Sequence, residues 1–258
     1  MKSPLRKRLP RELKSEFGKY LVVFIMMAIT IGFVSGFLVA DGSMLRAYDD
    51  SFQKYNIEDG YFQTKKKLTP AQKEDIEKSD VKVYENFYIE QKLTNGSTIR
   101  FFKNRKEVDK GCLMKGKMPK KSGEIAVDRM YADNNELKVG DTVKSRKKTF
   151  RITGLVALSD YSALFQNNND TMFDAVKFGV AIVTDKDFEA LNQVKVQYNY
   201  AWIYDKKPAT EKKEKKMAED LMEDMADVVT IESFVPQYQN QSIHFTGDDM
   251  GSDRAMIV

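Results

Sequence analysis

One cysteine, one histidine and one tryptophan occur in 258 residues. A single cysteine, Cys112, rules out any disulfide within the chain and reads as a small buried apolar group. A single histidine, His244, rules out zinc sites and catalytic triads built on several histidines. The sequence also holds no second long uncharged run, no internal repeat and no extended linker. "GCLMKGKM", Gly111 to Met118, comes near to a phosphate-binding loop, but Met118 stands where that motif needs a magnesium-coordinating hydroxyl. It reads instead as a turn-rich connector. "GDDMGSD" carries Asp248, Asp249 and Asp253 without the ligand spacing of a calcium loop, and reads as a solvated acidic stretch. No nucleophile, base and metal constellation emerges, and neither a cofactor nor a metal is expected.

What the chain does have is "KYLVVFIMMAITIGFVSGFLVAD". Tyr20–Ala40 is free of charge. As a helix these residues cover roughly 31 Å, the thickness of a bilayer's hydrocarbon core. A soluble core helix is rarely apolar on every face for that length. A cleaved leader has a shorter apolar region and a small-residue cleavage site, and Leu38-Val39-Ala40 puts a bulky Leu in the wrong place. Residues 20–40 are therefore read as a retained transmembrane helix. Arg6, Lys7, Arg8, Arg11, Lys14 and Lys19 precede it, and the positive flank places residues 1–19 in the cytoplasm and everything after Asp41 outside.

The charge balance agrees. Residues 1–19 hold seven basic and two acidic side chains, leaving 35 and 36 for the remainder of a chain whose net charge is +4. The excess belongs to a tail beside anionic headgroups, so no nucleic-acid partner is expected. An external domain without disulfides fits a bacterial source. Ala28, Gly32, Gly36 and Ala40 recur at every fourth position and line one helical face, suited to close packing against other spans.

Beyond the span, Met44, Leu45, Tyr48, Phe52 and Tyr55 fall at helical spacing, which predicts a stalk helix over 41–56. Thr69-Pro70 with Gln72 is a capping box. Asn95-Gly96 between β-rich runs is a hairpin signal. "GEIAVD", "FRITGLVAL", "VAIVTD", "YNYAWIYD" and "VVTIES" read as strands, "RMYADNNE" and "KDFEALNQ" as short helices, and the Asn167–Asp170 stretch as a surface loop. "PATEKKEKKMAEDLMEDMAD" is an amphipathic helix with Met217, Leu221 and Met225 on its packed face. Strands and helices alternate without a strict βαβ rhythm, so the expected class is α+β, over 57–236, as one large domain or two lobes. Residues 237–258 are expected to lead back toward a second span.

"RELKSEFGKYLVVFIMMAITIGFVSGFLVADGS" resembles the first membrane segment of FtsX/MacB-type ABC transporter permeases. "GEIAVDRMYADNNELKVGDTV" with "FRITGLVALSDYS" resembles the signature of their MacB-like extracytoplasmic core domain. The likeness covers about residues 8–60 and 120–165. Within it Gly123, Glu124, Gly140, Asp141 and Gly154 are read as structural turn positions, Asp141 as a cap, and Leu137, Val139 and Val143 as inward-pointing. The resemblance implies a permease subunit, not an enzyme, working with a separate cytoplasmic ABC ATPase. It also implies further permease helices or a second permease copy, with peptide or lipoprotein cargo or an external cell-wall hydrolase to regulate. On that reading the chain is the N-terminal portion of a longer permease. The alternative is a single-span, membrane-anchored sensor or ligand-binding domain.

Overall fold

The computed structural model describes residues 14–145, 148–191 and 196–245. Arg6, Lys7, Arg8 and Arg11, with the acidic stretch at 248–253, lie outside them.

The first helix, α1, runs Phe17–Tyr55 without a break. Its Phe17–Ala40 portion is 24 residues long, apolar enough to cross a membrane, and buries none of its side chains. From Tyr20 to Ala40 the side chains are uncharged all round, which is why no face is set apart. The polar groups inside it turn back on the helix: Thr30 Oγ1 donates to the Met26 carbonyl and Ser43 Oγ to that of Val39, both at 2.8 Å. Back-bonding of this kind leaves neither hydroxyl without a partner.

Residues 50–258 form a separate compact unit of class α+β. It contains two sheets. The first has strand order β11-β1-β10-β2, from β1 (Gly60–Thr64), β2 (Val81–Glu85), β10 (Tyr198–Tyr204) and β11 (Ile231–Pro236). All its pairings are antiparallel. Two helices, α2 (Pro70–Glu77) and α5 (Glu211–Val228), belong to this lobe. Thr69 starts α2: its Oγ1 accepts the Gln72 N–H while Gln72 Oε1 accepts the Thr69 N–H. The core is Phe62, Ile76, Val81, Val83, Tyr200, Trp202, Leu221 and Met225. Leu221 and Met225 come from the predicted apolar row of α5; Met217 packs at its margin.

The second sheet has order β3-β4-β9-β6-β8-β5, with β7 also paired to β8. Its strands are β3 (Tyr88–Lys92), β4 (Thr98–Lys103), β5 (Gly111–Gly116), β6 (Glu124–Asp128), β7 (Thr142–Lys144), β8 (Thr149–Leu158) and β9 (Phe178–Val183). The short helices α3 (Arg129–Asn134) and α4 (Asp185–Leu191) complete it. Asn95-Gly96 turns the β3–β4 hairpin, with Gly96 at φ +89°. β9 is buried at every position, as a central strand covered on both faces must be.

This second lobe, residues 88–191, is an insertion between β2 and β10 of the first. The chain passes into it at 86–88 and out at 196–198. The two crossings are tied to each other: the Asn86 N–H donates to the Asn199 carbonyl at 2.9 Å, and Tyr88 pairs with Gln197.

Three expectations need correction. "GCLMKG" is strand β5, not a turn-rich connector, because the ten-residue β8 offers it an antiparallel partner; the pairing tolerates a register shift between Leu113 and Lys115. Cys112 on that edge strand is only half-buried, not a core residue. Val139 points to solvent, whereas Leu137 packs on the core and Val143 is buried.

Candidate functional site

The family-like block builds turns rather than a site. Gly140 sits at φ +107°, a region that favours glycine, in the turn before β7. Asp141 Oδ2 accepts the Lys138 N–H at 2.8 Å and closes that turn. Gly123 is likewise at φ +89°, and Glu124 accepts the backbone N–H groups of Lys120 and Lys121, which hold its carboxyl below the usual range. At Gly154 the β6–β8 register slips by one residue, and a Cβ there would come within 2.5 Å of the Lys117 carbonyl oxygen. Gly123 also donates to Asp187, whose buried carboxylate gathers Ser122 Oγ and Lys148 Nζ as well. In the helix, a Cβ on Gly32 or Gly36 would meet nothing within 4 Å. Ala28 and Ala40 are exposed on the same helix; Lys14 and Lys19 are exposed too, Lys19 pairing with Glu16.

The candidate site is elsewhere. Between the two lobes lies a cleft of about 490 Å³. Tyr61 and Gln63 of β1, Asn199 of β10 and Phe234 of β11 line it from one side. Tyr88, Arg100 and Phe102 of β3 and β4 line it from the other, and Asn167–Asn169 form part of its wall.

At its base is a buried ionic network that the sequence did not announce. Arg105 grips Asp160 through two hydrogen bonds of 2.6 and 2.7 Å, and both side chains are almost fully buried. Burial opposes the Arg105 charge, but Asp160 outweighs it and the guanidinium pKa rises. Arg105 also donates to Asn86 Oδ1, and Asn86 Nδ2 donates to Asp109 at 3.1 Å. Asp109 Oδ1 accepts the Glu58 N–H at 2.9 Å, and Glu58 Oε1 accepts from Asn240 at 3.3 Å. Asp109 and its neighbour receive α1: the Asn56 and Tyr55 carbonyls accept the N–H groups of Asp109 and Lys110.

Glu58 and Asp109 are two buried carboxyls in one pocket. Burial, then the nearby Asp160 charge, pushes Asp109 to about 7 from its ordinary 3.8. Burial and Asp109 push Glu58 well up. Between those limits the folded chain therefore holds a proton that the unfolded chain has released. Stability contributed by the pair is present at low pH and is lost as pH rises from about 4 toward 7. The carboxyls held below their usual range, such as Glu124, act at lower pH and do not mask this window. Glu58→Gln keeps an oxygen for Asn240 and presents an N–H to Asp109. It is expected to raise the urea midpoint at about pH 8 and to flatten the fall between about pH 5 and 8. Trp202 fluorescence checks it; an unchanged slope would show that the pair does not titrate together.

Arg100 forms the other fixed charge. It donates to Glu90 at 2.9 Å, to Tyr161 Oη at 2.6 Å and to the Gln166 carbonyl at 2.8 Å, and lies 4.2 Å from the Tyr88 ring centroid. Among the described residues no cluster of three or more histidine, cysteine, aspartate or glutamate side chains is arranged to hold a metal.

No protein-family model and no curated protein matches the chain. Among solved structures it is similar to the extracellular domain of the noncanonic ABC-type transporter YknZ from Gram-positive bacteria. The two are 12% identical over 68% of this chain and 97% of that one, with a TM-score of 0.36. It is also similar to the periplasmic region of MacB from Actinobacillus actinomycetemcomitans, at 14% identity over 67% of this chain and 87% of that one, TM-score 0.36.

Proposed function

We propose that the chain is the N-terminal part of an ABC transporter permease subunit. In this reading residues 20–40 span the cell membrane, residues 1–19 face the cytoplasm, and 57–236 work outside. The external domain relays motion driven by a separate cytoplasmic ATPase, and is not itself catalytic. The relayed motion exports or releases a hydrophobic or amphipathic cargo, a peptide or lipoprotein, or acts on an external partner such as a cell-wall hydrolase. Ala28, Gly32, Gly36 and Ala40 form the face on which other permease helices, or a second copy, close.

One observation carries the reading: the Phe17–Ala40 segment is a helix long and apolar enough to cross a membrane, and it buries none of its side chains. The cleft between the lobes favours the second reading, a membrane-anchored ligand-binding domain, and the two readings are compatible.

Topology is the test. In a Cys112→Ser background, a membrane-impermeant thiol reagent applied to intact cells is expected to label Glu219→Cys and to spare Ser3→Cys until the cells are opened. Labelling of Ser3→Cys in intact cells, or recovery of the protein free in the medium without its first 40 residues, would overturn the reading.

A further inference from the structure

The cleft between the lobes has the chemistry of a binding site. Small-molecule pockets are mostly apolar with a few polar groups. This one is the reverse: side-chain amides from Gln63, Asn199 and the Asn167–Asn169 run alternate with the phenols of Tyr61 and Tyr88. Its volume of about 490 Å³ suits one small ligand.

Its charges are already spoken for. Arg100 is held by Glu90 and by the Tyr161 and Gln166 oxygens, and Asp160 is held by Arg105. Glu58 accepts from Asn240, and burial and Asp109 push its carboxyl pKa up. A charged ligand would find no counter-ion among these groups.

What remains unmatched is a pair of oxygens, Glu58 Oε2 and Asn199 Oδ1. Asn199 is 7% exposed and lines the cleft, yet its Oδ1 is fully buried and meets no donor in the protein. A buried amide oxygen left without a partner is costly, so a persistent one marks a place where a donor arrives from outside. The Phe234 ring stacks on Trp202 on the opposite face of this sheet, so the cleft's aromatic rings here are those of Tyr61 and Tyr88.

We infer that the cleft between the two lobes binds a neutral, hydroxyl-rich ligand of the saccharide class, with Asn199 Oδ1 accepting from a ligand hydroxyl and Gln63 and Tyr61 lining the same wall. Planar amides match the paired donors and acceptors of neighbouring sugar hydroxyls, and phenol rings pack against the C–H faces of a sugar. A peptide would compete instead for the edge of β11, through backbone hydrogen bonds.

Trp202 is the only tryptophan and lies on β10 three positions after Asn199, on the opposite face of the sheet, so its fluorescence reports a shift of the strands that carry the wall. The full chain, in a polyoxyethylene detergent that carries no sugar headgroup, is titrated with diacetylchitobiose, maltotriose and, as control, trialanine. A saturable fluorescence change is expected with at least one saccharide and not with trialanine. Asn199→Leu is expected to weaken it about tenfold, the loss of one hydrogen bond. Gln63→Leu, on the more exposed part of the wall, is expected to weaken it as well, and decides the matter if Asn199→Leu does not fold. Three results would overturn the inference: no saturable response to either saccharide up to about 10 mM, affinity unchanged in the folded variants, or equal binding of trialanine.

Discussion

Asp160→Ala is expected to remove about 3–5 kcal/mol of folding stability. The substitution leaves Arg105 buried with its charge unpaired, since its two short bonds to Asp160 are the ones that offset desolvation. The same change frees Asn86, which bridges Arg105 to Asp109, so the loop that receives the end of α1 should loosen too. Urea unfolding of the full chain in detergent, followed by Trp202 fluorescence, measures the loss. Replacing both partners by apolar residues, Arg105→Met with Asp160→Leu, should cost much less, because no charge is left buried. Equal losses in the single and double variants would mean that packing, not charge, sets the energy there.

Trp202→Ala is expected to cost a further class of energy, about 3–5 kcal/mol from burial and cavity formation. Trp202 is fully buried, stacked on Phe234 and tilted against Phe62 at 6.4 Å. Gly60 exists to admit it: a Cβ at that position would lie 2.2 Å from the indole ring. The damage should be local. The four-stranded sheet has its own core, distinct from the cluster around Phe101, Phe150 and Ile182 in the inserted lobe. Amide hydrogen exchange is therefore expected to lose protection in β1, β10 and β11 while β4, β6 and β9 keep theirs. Uniform loss across both sheets would show that the two cores unfold as one.

Much of this architecture was legible in the sequence where the signal is local. The Tyr20–Ala40 helix stands out in the sequence because every position in it agrees in being uncharged. The Thr69 capping box, the Asn95-Gly96 hairpin and the Leu221–Met225 face each depend on residues a few positions apart. β5 was missed because its glycines and lysines resemble a connector, and only the presence of β8 makes it a strand. The cleft was invisible for the same reason carried further. Arg105 meets Asp160 across 55 positions, Glu58 meets Asp109 across 51, and Asn199 comes from the far side of the insertion. Neither spacing nor composition reveals such meetings; the sheet order creates them.

That order also sets a sequence of events during folding. The inserted lobe draws all its strands from residues 88–183, so it completes without help from either end of the host. The host must wait, since β1 has no neighbour until β10 and β11 arrive some 140 to 170 positions later. Until then β1 is an unpaired edge attached to an apolar helix, the most aggregation-prone state the chain passes through. Slowing synthesis between β9 and β10 would lengthen that exposure, whereas slowing it after β11 would not.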